Sequence, residues 1–195
     1  MDRTARIERQ TSETSVLVEL RVDGSGVVDV GTGVRMLDHF LTQIGRHGLF
    51  DLKVVASGDD QHHVAEDVAI CVGRALNEAL GDKSGIVRMA HAMVPMDEAL
   101  SVVAIDISGR GGAFVDAPFT ATMIGDLESD MVRHFLCSFA VEARVTLHAS
   151  IERGVNDHHR AEALFKALAC ALRDACSVDT RRAGTVPSSK GVLEH

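Results

Sequence analysis

The chain has 195 residues, 46% of them hydrophobic and 25% charged, a formal net charge of −8, and neither Trp nor Tyr. That length and balance suit one globular domain, or two small halves sharing a core, and exclude a disordered chain. An acidic chain so poor in aromatic rings lacks the basic face and stacking platforms that nucleic-acid binding needs, although a local basic pocket for a small phosphorylated ligand is compatible with it.

In chain order, RTARIERQT and ETSVLVELRVDG predict two strands meeting near Ser12, the second alternating Val16, Val18, Leu20 and Val22 on one face. DGSG supplies turn residues. From Arg35 a helix carries Leu37, Phe40, Leu41 and Ile44 as an apolar stripe, with His39 beside it and Gly45 and Gly48 marking its end. DLKVVAS is a short buried strand, after which Asp59 and Asp60 cap a second helix with core face Val68, Val72, Leu76 and Leu80, stopped by Gly81. After the GDKSG loop the pattern returns. GIVRMAHAMV and EALSVVAIDISG are strands, MIGDLESDMVRHFLCSFAVEA is a helix bearing His134, and RVTLHASI is a strand. Asn156 and Asp157 cap a last helix with core face Leu164, Leu168, Leu172 and Cys176. The segment from 179 to 193 lacks periodicity and reads as an extended arm. Leu193-Glu194-His195 is compatible with a cloning scar, so 194–195 count as a tag remnant and His195 is given no role.

Laid over one another with an offset of 96 residues, DDQHHVAEDVAICVGRAL and VNDHHRAEALFKALACAL bring His62, His63 and Glu66 onto His158, His159 and Glu162. In a helix the first His and the Glu stand at i,i+4 and the second His and the Glu at i,i+3, so all three share a face. His39 precedes its doublet by 23 residues and His134 precedes its own by 24. The chain therefore reads as an α+β domain, 1–193, made by tandem duplication of a strand-strand-helix-strand-helix unit, about 1–84 and 85–178, with helices on one side of the packed sheets.

Six imidazoles and two carboxylates at equivalent places form a metal-ligand inventory: His39, His62, His63, Glu66, His134, His158, His159 and Glu162. The set suits two ions with four protein ligands each. Mixed nitrogen and oxygen ligation favours Mn²⁺, with Fe²⁺, Co²⁺, Ni²⁺ or Zn²⁺ compatible, and the absence of thiolate spacing argues against a closed structural zinc site. Adjacent histidines diverge by about 100° on a helix, so the two of a doublet are free to serve different ions. His47, His91 and His148 have no repeat partner and read as surface or core histidines. Arg88, Arg110, Ser188, Ser189 and Lys190 offer donors suited to a phosphate. Glu13, Asp97 and Glu98 stand at strand beginnings, where a carboxylate beside two ions can act as general acid or base. Cys71, Cys137, Cys170 and Cys176 lie inside apolar helical patterns; with no signal peptide and no apolar run of 18 residues, a cytoplasmic protein with reduced thiols and no membrane segment is expected.

The ordered set MLDHFL, DDQHHVAED, PMDEAL, DISGR, GDL-x-x-x-MVRHF, NDHHRAEALFKAL and PSSKGVL, from about Thr11 to Leu193, resembles the imidazoleglycerol-phosphate dehydratase family in its monofunctional form, HHVAED standing where HHTVED is common. The resemblance implies a duplicated fold like the second domain of ribosomal protein S5, a homo-oligomeric cage of 24 subunits with sites at subunit interfaces, and two Mn²⁺ per site. It implies dehydration of D-erythro-imidazoleglycerol phosphate to imidazole-acetol phosphate in histidine biosynthesis. The eight residues above would be the ligands, and Arg88, Arg110, Ser188, Ser189 and Lys190 the phosphate contacts. In that reaction the proton lost sits on a carbon of little acidity. Ions on both ring nitrogens would stabilise an imidazolate and let charge expel the hydroxyl through a diazafulvene-like intermediate. Glu13, also placed at the substrate, is expected to be the mobile acid/base, Glu98 its counterpart, and Glu66 and Glu162 the other carboxylates of the catalytic set. Two rival classes use the same ligands: a dinuclear metallohydrolase and a metal-storage or structural shell.

Overall fold

The structure is a computed structural model that describes residues 3–193. The expected tag remnant, 194–195, lies outside the described residues.

The first half opens with a hairpin of β1 (Thr4–Gln10) and β2 (Thr14–Arg21), paired antiparallel from Thr4↔Arg21 to Gln10↔Ser15. At its tip the Thr11 hydroxyl accepts the backbone N–H of Glu13 at 3.1 Å and of Thr14 at 3.0 Å, a local turn that fixes where Glu13 stands. β3 (Val28–Gly31), helix α1 (Arg35–Gly48), β4 (Asp51–Gly58) and helix α2 (Gln61–Leu80) follow. The sheet order is β1-β2-β4-β3, with β3 parallel to β4.

The second half repeats this topology. β5 (Met89–Met96), β6 (Ala99–Asp106), β7 (Gly112–Asp116), helix α3 (Asp130–Glu142), β10 (Thr146–Arg153) and helix α4 (Asp157–Cys176) give the order β5-β6-β10-β7, with β7 parallel to β10. A short hairpin of β8 (Met123–Ile124) and β9 (Leu127–Glu128) precedes α3.

The four-stranded sheet of each half thus has one more strand than the apolar runs announce. β3 and β7 are short edge strands, each closing the sheet with a parallel pairing that the hairpin pattern does not reveal. The helix expected from Met123 begins only at Asp130. Gly125 takes a left-handed φ of +63° at the turn, and the Asp126 carboxylate is drawn away to accept the N–H groups of Arg35 and Met36 at 3.0 and 2.8 Å. Among the described residues the first half has no such hairpin, so here the repeat breaks. α1 ends at Gly48, where the glycines mark its last turn, but the left-handed cap is Leu49, at φ 56°. A Cβ on Gly45 would stand 2.4 Å from Val28, and one on Gly48 would stand 2.6 Å from the Phe50 ring. Their smallness serves packing.

The strands alternate as expected, with Val16, Val18 and Leu20 of β2 and Val103 and Ile105 of β6 buried under the helices. Helices cover one side of each sheet, and the two helical layers meet, α1 on α4 and α2 on α3, in one continuous core. Phe40 of α1 stacks on Phe165 of α4 with ring centroids 4.4 Å apart and planes at 6°. Where α2 crosses α3, a Cβ on Gly73 would lie 2.7 Å from the Phe139 carbonyl oxygen, so only glycine allows that approach. These two helix pairs decide which histidines meet. The C-terminal arm is tied down: the Gly85 N–H donates to Thr185 O, Ile86 pairs with Val178, and Leu193 is buried.

Candidate metal centre

The N-caps set the first turns of α2 and α4. Asp60 accepts the His62 N–H at 2.7 Å, and Asn156 accepts those of His158 and His159 at 2.9 and 3.4 Å. Asp59 and Asp157, expected as further caps, do other work. Asp59 meets the His63 ring, and Asp157 holds the loop at Thr120 and Ala121 while pairing with Arg160.

Two groups of ligand atoms converge, each within 4.8 Å of one another: His39, His158 and Glu162, and His62, Glu66 and His134. Each crosses the two halves. His39 of α1 joins the pair on α4, and His134 of α3 joins the pair on α2. In the first group the Nε2 atoms of His39 and His158 both point at Glu162 Oε2, at 2.9 and 3.1 Å. The Lys166 ammonium lies on the other carboxylate oxygen at 2.6 Å. Burial pushes the Glu162 carboxyl up, but Lys166 and then His39 outweigh it and hold the group at about 2, a carboxylate at any working pH. In the second group His134 Nε2 faces Glu66 Oε1 at 3.6 Å, and the His62 and His134 rings lie 4.7 Å apart. His134 Nε2 is buried without a hydrogen-bond partner. A buried imidazole nitrogen aimed at a carboxylate and a second imidazole has an unmet need that a cation satisfies. The residues fit a metal.

His63 and His159 stand outside both groups. His63 Nδ1 meets Asp59 Oδ1 at 2.9 Å, and His159 Nδ1 meets Glu98 Oε2 at 2.8 Å. The Asp59 carboxylate raises the His63 pKa, and Glu98 raises that of His159. Their Nε2 atoms face the exposed carboxylates of Glu13 and Asp97 at 3.9 and 3.8 Å.

The two hairpin tips differ in how their glutamates are used. Glu98 accepts from His159 and from the backbone N–H groups of Asn156 and Val155, which together hold its carboxyl at about 2. Glu13 is exposed and, among the described residues, its carboxylate faces His63. Behind it Asp67 accepts from Thr14 Oγ1 and, at 2.8 Å, from Arg9 Nε, anchoring the β1–β2 tip to the turn that carries Glu66. Sequence reasoning missed Asp67 and Lys166. Lys166 was findable at i+4 from Glu162, but its offset partner is Ile70, so the repeat argument passed over it.

The basic residues come together in part. Arg88 is mostly buried, left-handed at φ 79°, and its guanidinium grips Asp106 at 2.7 and 3.1 Å and the Pro187 carbonyl at 2.7 Å. That last bond brings the arm with Ser188, Ser189 and Lys190 beside Arg88. Ser188 Oγ accepts the Lys190 N–H at 3.1 Å, and Ser189 and Lys190 are exposed. Arg110 is exposed on the turn that Ser108 Oγ holds by accepting its N–H. His91 and His148 lie on sheet strands, the latter stacked on Phe114, and neither they nor His47 belongs to a ligand group among the described residues.

The family model for imidazoleglycerol-phosphate dehydratase matches residues 32–172. The chain is 58% identical to the imidazoleglycerol-phosphate dehydratase of Dehalococcoides mccartyi (strain ATCC BAA-2266 / KCTC 15142 / 195) over 99% of its length and 98% of that protein. It is 55% identical to that of Roseiflexus sp. (strain RS-1), over 98% of each. Among solved structures, the dehydratase of Staphylococcus aureus subsp. aureus N315 is similar at a TM-score of 0.83 and 32% identity, covering 90% of this chain and 99% of that one. The Pyrococcus furiosus protein in complex with (S)-C348 is similar at 0.84 and 34%, covering 96% and 100%. By fold, by motif order and by identity along nearly its whole length, the chain belongs to the imidazoleglycerol-phosphate dehydratase family and is an enzyme of the hydro-lyase class.

Proposed function

We propose that the chain dehydrates D-erythro-imidazoleglycerol phosphate to imidazole-acetol phosphate in histidine biosynthesis, at a centre holding two divalent ions, Mn²⁺ by preference. The observation that carries this reading is the pair of three-ligand groups, each assembled from both halves of the chain and each offering two imidazole nitrogens and a carboxylate oxygen. When bound, the ions supply the positive charge that a deprotonated imidazole ring needs. The domain is read as a single catalytic unit, 1–193, of two repeats and a C-terminal arm.

His39, His158 and Glu162 would hold one ion, and His62, Glu66 and His134 the other. His63 and His159, on the same helical turns but outside both groups, would complete the ligand shells of neighbouring copies. Their partial exposure, 37% and 26% of the side chain, supports that role. The site would then lie at a subunit interface of a homo-oligomer, in keeping with the 24-subunit cage that the family resemblance implies. Glu13 takes the carbon-bound proton: its carboxylate is unencumbered, exposed and beside His63, a placement that Asp97 mirrors beside His159. Glu13 is preferred because Asp67 and Thr11 hold its turn in place. Glu98, already bound to two backbone N–H groups and a ring, is poorly placed to move a proton. Arg110, Ser188, Ser189 and Lys190 would bind the phosphate, and Arg88 would position the arm that carries three of them through Pro187. No described helix is long and apolar enough to cross a membrane, and the cysteines are free, in keeping with a cytoplasmic enzyme.

Anaerobic removal of metal, reconstitution with Mn²⁺ and an assay for imidazole-acetol phosphate test the reading. Metal-dependent formation of that product is expected. Release of inorganic phosphate, or metal binding without turnover, would overturn it.

A further inference from the structure

We propose that Glu98 and Asp59 are positioning residues that fix the tautomer of His159 and His63, placing the ring hydrogen on Nδ1 so that Nε2 is presented as a bare lone pair to a divalent ion. This rests on the reading that the two imidazoles are ligands. It goes further by assigning the groups that make them competent.

The geometry is the same in both halves although the residues are not equivalent. Each ring turns Nδ1 to a carboxylate oxygen, at 2.8 Å for His159 and 2.9 Å for His63. A carboxylate only accepts, so Nδ1 must donate, and in a neutral imidazole Nε2 is then the free acceptor. The same contact stops the ring from turning and makes it a better ligand. In the second half the carboxylate comes from the β5–β6 tip. In the first it comes from Asp59, four residues before His63 in the loop that enters α2. The first hairpin tip therefore has no ring to hold, which leaves Glu13 free. Glu98 is itself locked, since its Oε1 accepts from Asn156 N at 2.9 Å and Val155 N at 3.2 Å while Oε2 serves the ring.

That division of labour makes Glu98→Gln a discriminating variant. The two backbone donors require an oxygen at Oε1, so the amide nitrogen must take the Oε2 position and donate to Nδ1. The ring is then driven to carry its hydrogen on Nε2, where it blocks coordination. Asp59 has no such second anchor, so its test is Asp59→Ala, which removes the Nδ1 acceptor outright without touching a helix cap, because Asp60 caps α2.

The experiment titrates metal-free full-length protein with Mn²⁺, following free ion by electron paramagnetic resonance, with thermal unfolding of the metal-free protein alongside. Four variants are compared: Glu98→Gln, Asp59→Ala, His159→Ala and His63→Ala. Mn²⁺ binding weakened about 10–100-fold in Glu98→Gln and Asp59→Ala, with unfolding midpoints unmoved, is expected. Normal binding in these two beside weakened binding in the histidine variants would overturn the positioning role alone. Normal binding in the histidine variants would overturn the ligand reading and the proposal with it. If Glu98→Gln fails to fold, Asp59→Ala decides.

Discussion

His39 Nε2 and Glu162 Oε2 lie 2.9 Å apart although 123 positions separate them, and the ligand group they share with His158 excludes the His-His doublet of the first half. The contact depends on α1 lying along α4. Phe165→Ala, removing the ring stacked on Phe40, should destabilise the metal-free protein by about 3–5 kcal/mol. It should also weaken the His39 group first. Gly73→Ala should do the corresponding damage to the His62 group by forcing α2 from α3. Denaturant unfolding with parallel metal titration checks both, and equal loss at both groups in each variant would count against this account.

Glu13→Gln should lower kcat by about 10²–10⁴, the usual worth of a positioned acid/base, with Mn²⁺ content unchanged. Steady-state kinetics with metal analysis of the same samples decides. Unaltered turnover would remove Glu13 from the mechanism.

Arg110→Ala and Lys190→Ala should each raise KM about tenfold or more, as loss of a charge-assisted bond to phosphate does, while leaving metal content intact. A fall in kcat with KM unmoved would place these residues elsewhere.

Acid stability has an identifiable contributor away from the centre. The Asp51 carboxylate accepts the N–H groups of Ser25 and Val27 at 2.8 and 3.0 Å, and these bonds hold its pKa below the usual aspartate value. A folded pKa below the unfolded one gives stability that is present above the unfolded value, near pH 4, and is lost as pH falls through the folded one. Asp51→Asn should therefore unfold about 2–4 °C lower at pH 7, the equivalent of ~1 kcal/mol, and show a shallower loss of stability below pH 4. Thermal melts across pH 2–7 test it. An unchanged acid slope would mean that other carboxylates dominate.

The duplication, the helical stripes and all six residues of the two ligand groups were legible because each leaves a periodic or repeated mark in the sequence. What the sequence hid was of two kinds. Gly45 and Gly48 mark the last turn of α1 by type, and only the proximity of Val28 and Phe50 reveals that they also serve packing. Short edge strands such as β3 pair in parallel across long connections, so their local pattern carries little signal. The exchange of His39 and His134 between halves was likewise invisible, because helix spacing says which residues share a face and nothing about which helix lies opposite. Glu98 and Glu13 looked alike for the same reason: their difference lies in Asn156 and Val155, whose N–H groups claim one of them.

The most direct test is metal counting by mass spectrometry on Mn²⁺-loaded wild type, His39→Ala and His134→Ala. Two ions per chain in the wild type and about one in each variant are predicted, since each histidine belongs to a different group built across the halves. A chain that kept both ions without His39, or without His134, would contradict the account.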